Sequence, residues 1–192
     1  MEREVILTGV GGQGVQLAAQ VVAKAAVLEG RSVMLLGTYG GTMRGGNTES
    51  TLVVGDAQLV APPIVSRAWA AIVVHHHFWE PTRAKLRPGS VVCVNSSLFA
   101  GELDRAAWRV FDVPATEIAA SLGGRLAAAL VLTAAFARLT GLVGLDALLA
   151  GLRESLPPYR RQHVEANERA LRAGFHHAAA GLAPAWAASE AA

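Results

Sequence analysis

The run Gly9-Val10-Gly11-Gly12-Gln13-Gly14 constrains this chain more than any other segment. It follows the β-rich stretch Glu4 to Thr8 and precedes Val15 to Glu29, where Val15, Ala18, Ala19, Val22 and Ala26 recur near helical period. Gly30 suits the helix end, and Ser32 to Leu36 reads as a second strand. Strand, glycine turn, helix and strand in succession make a βαβ unit, which predicts a parallel sheet. Gly9, Gly11 and Gly14 match G-x-G-x-x-G in the strand-to-helix context that gives the pattern weight. Backbone without side chains can approach a phosphate, and a helix N-terminus presents unpaired N–H groups to it. The same turn also serves as a tight strand-to-helix connection that binds nothing, and the sequence leaves both readings open.

A nicotinamide or flavin site needs more than the turn. It wants an acidic residue about 20 positions on, at the end of the second strand, to hold ribose hydroxyls. Here that strand runs Val33-Met34-Leu35-Leu36 into Gly37-Thr38-Tyr39, with no Asp or Glu. A freestanding NAD enzyme is therefore disfavoured.

The loop Thr38 to Asn47 follows that strand, at the expected carboxyl edge of the sheet, where open α/β folds bind ligands. Glycines flank its single cation, Arg44, so the backbone can wrap while a planar, permanently charged fork is offered to phosphate or carboxylate. An arginine bridging to a carboxylate of a partner subunit fits the same residues.

Further along, Thr48 to Gly55, Ala70 to His75, Ser90 to Asn95 and Trp108 to Val113 read as strands, with Pro81 to Leu86 a helical link. After Pro114 the chain turns helical over Ala115 to Ala120, Arg125 to Thr140, Leu145 to Leu152 and Arg161 to His177. The expected fold is α/β: a Rossmann-like, mostly parallel sheet flanked by helices, with a helical C-terminal third. Residues 1–180 read as one domain, and the Ala-rich end, 181–192, as a flexible tail. Hydrophobic residues make up 52% of the chain and charged residues 17%, which predicts a large buried interface besides the core.

Composition removes several functions. The net charge is +2 with sparse aromatics and no dense basic block, so nucleic-acid binding has no support. One cysteine, Cys93 in an apolar strand, cannot hold an iron–sulfur cluster or a thiolate zinc site. The apolar stretch Leu126 to Ala137, closed by Arg125 and Arg138, is shorter than the roughly 20 residues a bilayer requires. With no secretory signal in view, a cytoplasmic protein is expected. His75-His76-His77 ends a predicted strand, where alternation puts two imidazoles on one face, but no acidic cluster completes a metal set. The scattered carboxylates Glu49, Asp56, Glu80, Asp104 and Asp112 offer no acid–base pair. No catalytic residue and no metal ligand is assigned.

Taken together, Gly9 to Val15, Tyr39-Gly40, Arg44-Gly45-Gly46, Val53 to Pro62, Pro114 to Ala119 and Asn167 to Phe175 resemble the gamma subunit of 2-oxoacid:ferredoxin oxidoreductases. That family includes the pyruvate, 2-oxoglutarate, ketoisovalerate, phenylglyoxylate and indolepyruvate enzymes. The resemblance implies a subunit that is not catalytic alone. Its partners would be an alpha subunit, a beta subunit with thiamine diphosphate and Mg, and a ferredoxin-like delta subunit with iron–sulfur clusters. The assembly would convert a 2-oxoacid and coenzyme A to acyl-CoA and CO2, passing electrons to ferredoxin or another acceptor. Coenzyme A would arrive near this subunit, and the residues carried over as its candidate site are Gly9, Gly11, Gly12, Gly14, Tyr39, Arg44, Gly45 and Gly46. A purely structural assembly subunit and a freestanding nucleotide-binding enzyme stand as the alternatives.

Overall fold

The computed structural model describes residues 1–39, 45–60 and 62–186, and of Tyr39 and Arg125 the backbone alone. Six strands form one sheet in the order β2-β3-β1-β4-β5-β6. They are β1 (Glu2–Val10), β2 (Ser32–Tyr39), β3 (Asn47–Gly55), β4 (Ala68–Val73), β5 (Leu86–Asn95) and β6 (Arg109–Val113). The helices are α1 (Val15–Leu28), α2 (Trp79–Arg83), α3 (Ala115–Ser121), α4 (Ala128–Thr140), α5 (Leu145–Ser155) and α6 (Val164–His177).

Five strands share one direction and β3 opposes them, since it pairs antiparallel with both β1 and β2 while β1, β4, β5 and β6 pair parallel. The sheet is thus mostly parallel, but the first βαβ unit differs from the simple expectation. β1 and β2 do not touch; β3 lies between them. The connection between β2 and β3 explains this, because a parallel return needs a crossover of a dozen or more residues. The glycine-rich segment is too short for one, so the chain doubles back as a hairpin.

Helices α1, α4, α5 and α6 cover one sheet face and share the main core with Val5, Leu7, Leu52, Ile72 and Cys93. α4 is apolar nearly all round because it is buried nearly all round; of its residues only Arg138 reaches solvent. Two close helix crossings depend on glycine. A Cβ on Gly174 of α6 would lie 2.0 Å from the Val131 carbonyl oxygen of α4, and one on Gly151 of α5 would lie 2.7 Å from the Val21 oxygen of α1. The other face carries α2 and a smaller cluster in which Trp79 meets Phe99 and Trp108 edge-on at 5.8 and 5.7 Å.

Two further sequence expectations need correction. β4 ends at Val73, and His76–Phe78 form a 3-10 turn, so strand alternation does not govern the three histidines. The C-terminal segment is packed as far as Trp186, with the Ala183 and Ala185 amides donating to the Leu139 and Thr140 carbonyls at 3.1 and 2.7 Å. The Trp186 indole N–H donates to the Leu142 carbonyl at 3.2 Å, and the Arg31 guanidinium lies 4.0 Å over its ring. These contacts anchor 181–186, against the flexible tail expected there; residues 187–192 lie outside the described residues.

Candidate functional site

The glycine turn sits at the carboxyl end of β1. Gly9 is required because a Cβ there would lie 2.9 Å from Val15 Cγ2 and 3.1 Å from Val74 Cβ, both on stiff β-branched side chains. Gln13 closes the turn on itself: its amide donates to the Val10 carbonyl at 3.1 Å, and its Oε1 accepts from the Val10 amide at 2.9 Å. Gly12 and Gly14 have φ of 98° and 80°, left-handed values that L side chains rarely adopt. Gly14 caps α1 with no side chain, no acidic residue stands in the first turn, and the Gly14 carbonyl accepts from the Ala18 amide at 2.9 Å. The positive end of the α1 dipole is left without an anionic neighbour in its own first turn.

The hairpin between β2 and β3 meets this turn. The Gly11 amide donates to the Gly46 carbonyl at 2.8 Å, and Gly45, with φ of 91°, precedes that contact. The backbone of Tyr39 ends β2 and pairs in register with Thr48. The structure therefore brings Gly11, Gly12 and Gly14 together with Gly45 and Gly46. Arg44 and the rest of 40–44 lie outside the described residues.

A cleft of about 860 Å³ opens beside the turn. Gly12, Gly14, Gln16 and Thr48 form one side, the α3–α4 connection with Gly123, Gly124 and Leu126 forms its end, and Arg160, His163, Asn167 and Arg169 form the opposite side. Its volume suits a small-molecule site. No carboxylate lines it among the described residues. Gly9, Gly11, Gly45 and Gly46 stand outside its lining and shape it through the turn.

The sequence reading missed this second wall. Its signal was local, the run Tyr159-Arg160-Arg161 after Pro157-Pro158, but only the packing of α6 on α4 carries that run to the far-off glycine turn. Glu165 and Glu168 on α6 are held by Arg169 at 3.1 Å and Arg153 at 2.7 Å. Arg160 makes no ion pair among the described residues.

Between β1 and β4 the sheet also switches direction of winding: α1 leads outward to one face and α2 to the other. The Val74 amide donates to the Thr8 carbonyl at 2.9 Å, which sets the three histidines beside the glycine turn. His76 Nδ1 contacts the Leu98 carbonyl at 2.8 Å, His75 Nδ1 accepts from the His77 amide at 3.1 Å, and the His75 and His76 rings stack at 4.7 Å. Burial, followed by the neighbouring His76 and His77, lowers the His75 pKa below its ordinary value. No set of three or more His, Cys, Asp or Glu able to hold a metal assembles among the described residues. Cys93 is fully buried, and burial raises its thiol pKa, so it offers no thiolate.

The chain is thus an α/β protein: a mostly parallel six-stranded sheet, a helical last third and a cleft beside the turn at the carboxyl end of β1. The chain belongs to the pyruvate ferredoxin/flavodoxin oxidoreductase family, whose model matches residues 4–177. It is 27% identical to indolepyruvate oxidoreductase subunit IorB of Archaeoglobus fulgidus, over 94% of this chain and 98% of that one. The crystal structure of the gamma subunit of keto/oxoacid ferredoxin oxidoreductase from Geobacter sulfurreducens PCA matches with a TM-score of 0.76 at 26% identity, covering 92% of this chain and 98% of that chain. The fold also recurs, with a TM-score of 0.79 at 16% identity, in 2-oxoglutarate:ferredoxin oxidoreductase from Magnetococcus marinus, solved with 2-oxoglutarate, coenzyme A and succinyl-CoA bound; there the match covers 91% of this chain and 30% of that chain. These likenesses place the chain with the gamma subunits of 2-oxoacid:ferredoxin oxidoreductases.

Proposed function

We propose that this gamma subunit assists coenzyme A in a thiamine-diphosphate-dependent 2-oxoacid:acceptor oxidoreductase and helps to cap its active-site mouth. The reaction would take a 2-oxoacid and coenzyme A to acyl-CoA and CO2, with electrons leaving to ferredoxin or another acceptor. Thiamine diphosphate, Mg and the iron–sulfur clusters would belong to the alpha, beta and delta partners, since the one cysteine here is a buried thiol and no metal set assembles among the described residues. No helix among the described residues is long and apolar enough to cross a membrane, in keeping with an expected cytoplasmic complex.

The observation that carries this reading is the Gly11–Gly46 hydrogen bond at 2.8 Å. It ties Gly46, two residues past Arg44 in the sequence, to the turn that opens α1, where backbone N–H groups are exposed; a guanidinium fork from Arg44 acting with them is part of the proposal. Coenzyme A carries a pyrophosphate and a 3′-phosphate, and both groups suit such donors. The Magnetococcus marinus enzyme, of like fold, was solved with coenzyme A bound. The test is to reconstitute the complex with and without this chain and titrate coenzyme A. Omission should raise the apparent KM for coenzyme A, whereas an unchanged KM would refute the reading.

The purely structural role keeps one specific support. Val60 and Ile64 are 88% and 78% exposed in the connection between β3 and β4, and Leu35 and Leu36 are exposed on the edge strand β2. Such apolar groups suit subunit contacts. Dissociation of the complex on loss of this chain, with coenzyme A dependence intact in whatever assembles, would favour that role.

A further inference from the structure

Each of the five strands that share one direction begins within one residue of an arginine: Arg3 in β1, Arg31 before β2, Arg67 before β4, Arg87 in β5 and Arg109 in β6. The common direction gathers these groups at the amino edge of the sheet, opposite the glycine turn. Burial and then the Arg87 charge lower the Arg3 pKa from its ordinary value, Glu4 opposes them, and Arg109 adds to them, so these guanidinium groups lie within reach of one another's fields. Arg3 and Arg31 are engaged within the chain, 4.8 Å over the Trp69 ring and 4.0 Å over the Trp186 ring. Glu4 pairs with Arg87 at 3.2 Å, Asp56 with the chain's amino group, and Asp104 accepts from the Ala106 and Ala107 amides at 3.1 and 2.9 Å. Glu2, at the same edge, is exposed. Arg67 and Arg109 are exposed and make no ion pair among the described residues, so they carry the outward charge of this edge.

A second, independent observation lies at the same edge. β3 runs against its neighbours, so its connection to β4 passes the amino end of β1, where the Asp56 amide donates to the Met1 carbonyl at 3.2 Å. In that connection Val60 and Ile64 are 88% and 78% exposed, and Ile64 stands three residues before Arg67. Exposed aliphatic groups beside arginines have the composition of a protein interface, whose buried centre is apolar and which is enriched in arginine. Charge then selects the occupant. A second copy docking by two-fold symmetry would set the arginine edge against itself. An acidic protein surface answers the guanidinium groups and covers Val60 and Ile64 together.

We propose that the amino edge of the sheet docks an acidic surface of another subunit of the oxidoreductase, with Arg67 and Arg109 on the charged rim and Val60 and Ile64 at the centre. The proposal rests on the relatives being subunits of larger enzymes and not on coenzyme A handling. Docking there leaves the glycine turn and the cleft, at the opposite edge, open.

The test is reconstitution of the assembled enzyme with the full chain, read by sedimentation velocity. Wild-type association should weaken by about tenfold or more between about 0.1 and about 1 M salt, because the screening length falls from about 10 to about 3 Å. Arg67→Glu combined with Arg109→Glu should weaken it by about tenfold or more at low salt, since like charges then meet, while the thermal melt of the lone chain stays at the wild-type value. Val60→Ser combined with Ile64→Ser should weaken it several-fold at both salt concentrations. Arg172→Glu, exposed on α6, should change nothing. Association of the charge-reversed chain as tight as wild type overturns the proposal, as does equal weakening by Arg172→Glu. Binding of the lone chain to vesicles of phosphatidylglycerol and phosphatidylcholine, lost on charge reversal while subunit association holds, overturns it in favour of an anionic membrane. A lone chain that sediments as a dimer, and as a monomer with Val60→Ser and Ile64→Ser, overturns it in favour of a second copy.

Discussion

Gly11 and Gly46 are joined by a backbone hydrogen bond of 2.8 Å that spans two elements otherwise separated by α1 and β2. A Cβ on Gly11 would lie 3.4 Å from the Gly46 oxygen, an ordinary contact, so the bond depends on the Gly11 N–H and not on the missing side chain. Gly11→Pro removes the donor and sets ring atoms against that oxygen. The expected cost is about 1–3 kcal/mol, read as a lower unfolding midpoint, with a rise in KM for coenzyme A in the assembled enzyme.

Gly174→Ala tests the α4–α6 crossing on which the second wall of the cleft depends. In an ordinary helix interior Ala is better than Gly by roughly 0.5–1 kcal/mol. Here the added methyl meets the Val131 carbonyl oxygen at 2.0 Å, so the sign reverses. A loss of about 3 kcal/mol should lower Tm by about 6–12 °C in a chain of this size. A thermal melt no lower than wild type would contradict the packing.

Much of the fold was legible before the structure, because the chain's periodicities are clean: the strand before the turn, the glycine turn, the buried helix α4 and the helical last third all stand where their patterns put them. The position of β3 was not legible, since strand order is set by which edges meet and not by local pattern. The site was legible in part. Glycines at 9, 12 and 14 announce close approach and left-handed backbone locally, whereas Thr48, Arg160, His163 and Arg169 have ordinary surroundings in sequence and gain meaning only where α6 crosses α4. The histidine run misled because its strand ends at Val73, two residues before the first imidazole.

His75 gives a pH dependence of definite sign. Its folded pKa lies below the ordinary value of 6.5, so the unfolded chain takes the proton first as pH falls. Its contribution to stability is full above that ordinary value and declines as pH drops from there toward the folded pKa. His75→Gln should flatten this part of the stability–pH curve, as measured by urea unfolding at a series of pH values. An equal slope in variant and wild type would show that other groups carry it.

The chain should not bind NAD tightly. β2 ends in Gly37-Thr38-Tyr39, so no carboxylate stands where a ribose would need one. Calorimetry should give no micromolar affinity, and a clear micromolar isotherm would revive the freestanding nucleotide-binding reading.

The central claim is that this subunit handles coenzyme A, and Arg44 tests it most directly. Arg44→Ala in the assembled enzyme should raise the apparent KM for coenzyme A by about tenfold or more, since a charge-assisted contact contributes ~1.5–3 kcal/mol. Binding of the 2-oxoacid should change little, and Arg44→Lys should rescue only in part, as a point charge does not reproduce a bidentate fork. An unchanged coenzyme A dependence in Arg44→Ala, with the complex falling apart on gel filtration, would contradict the account and make Arg44 an interface residue.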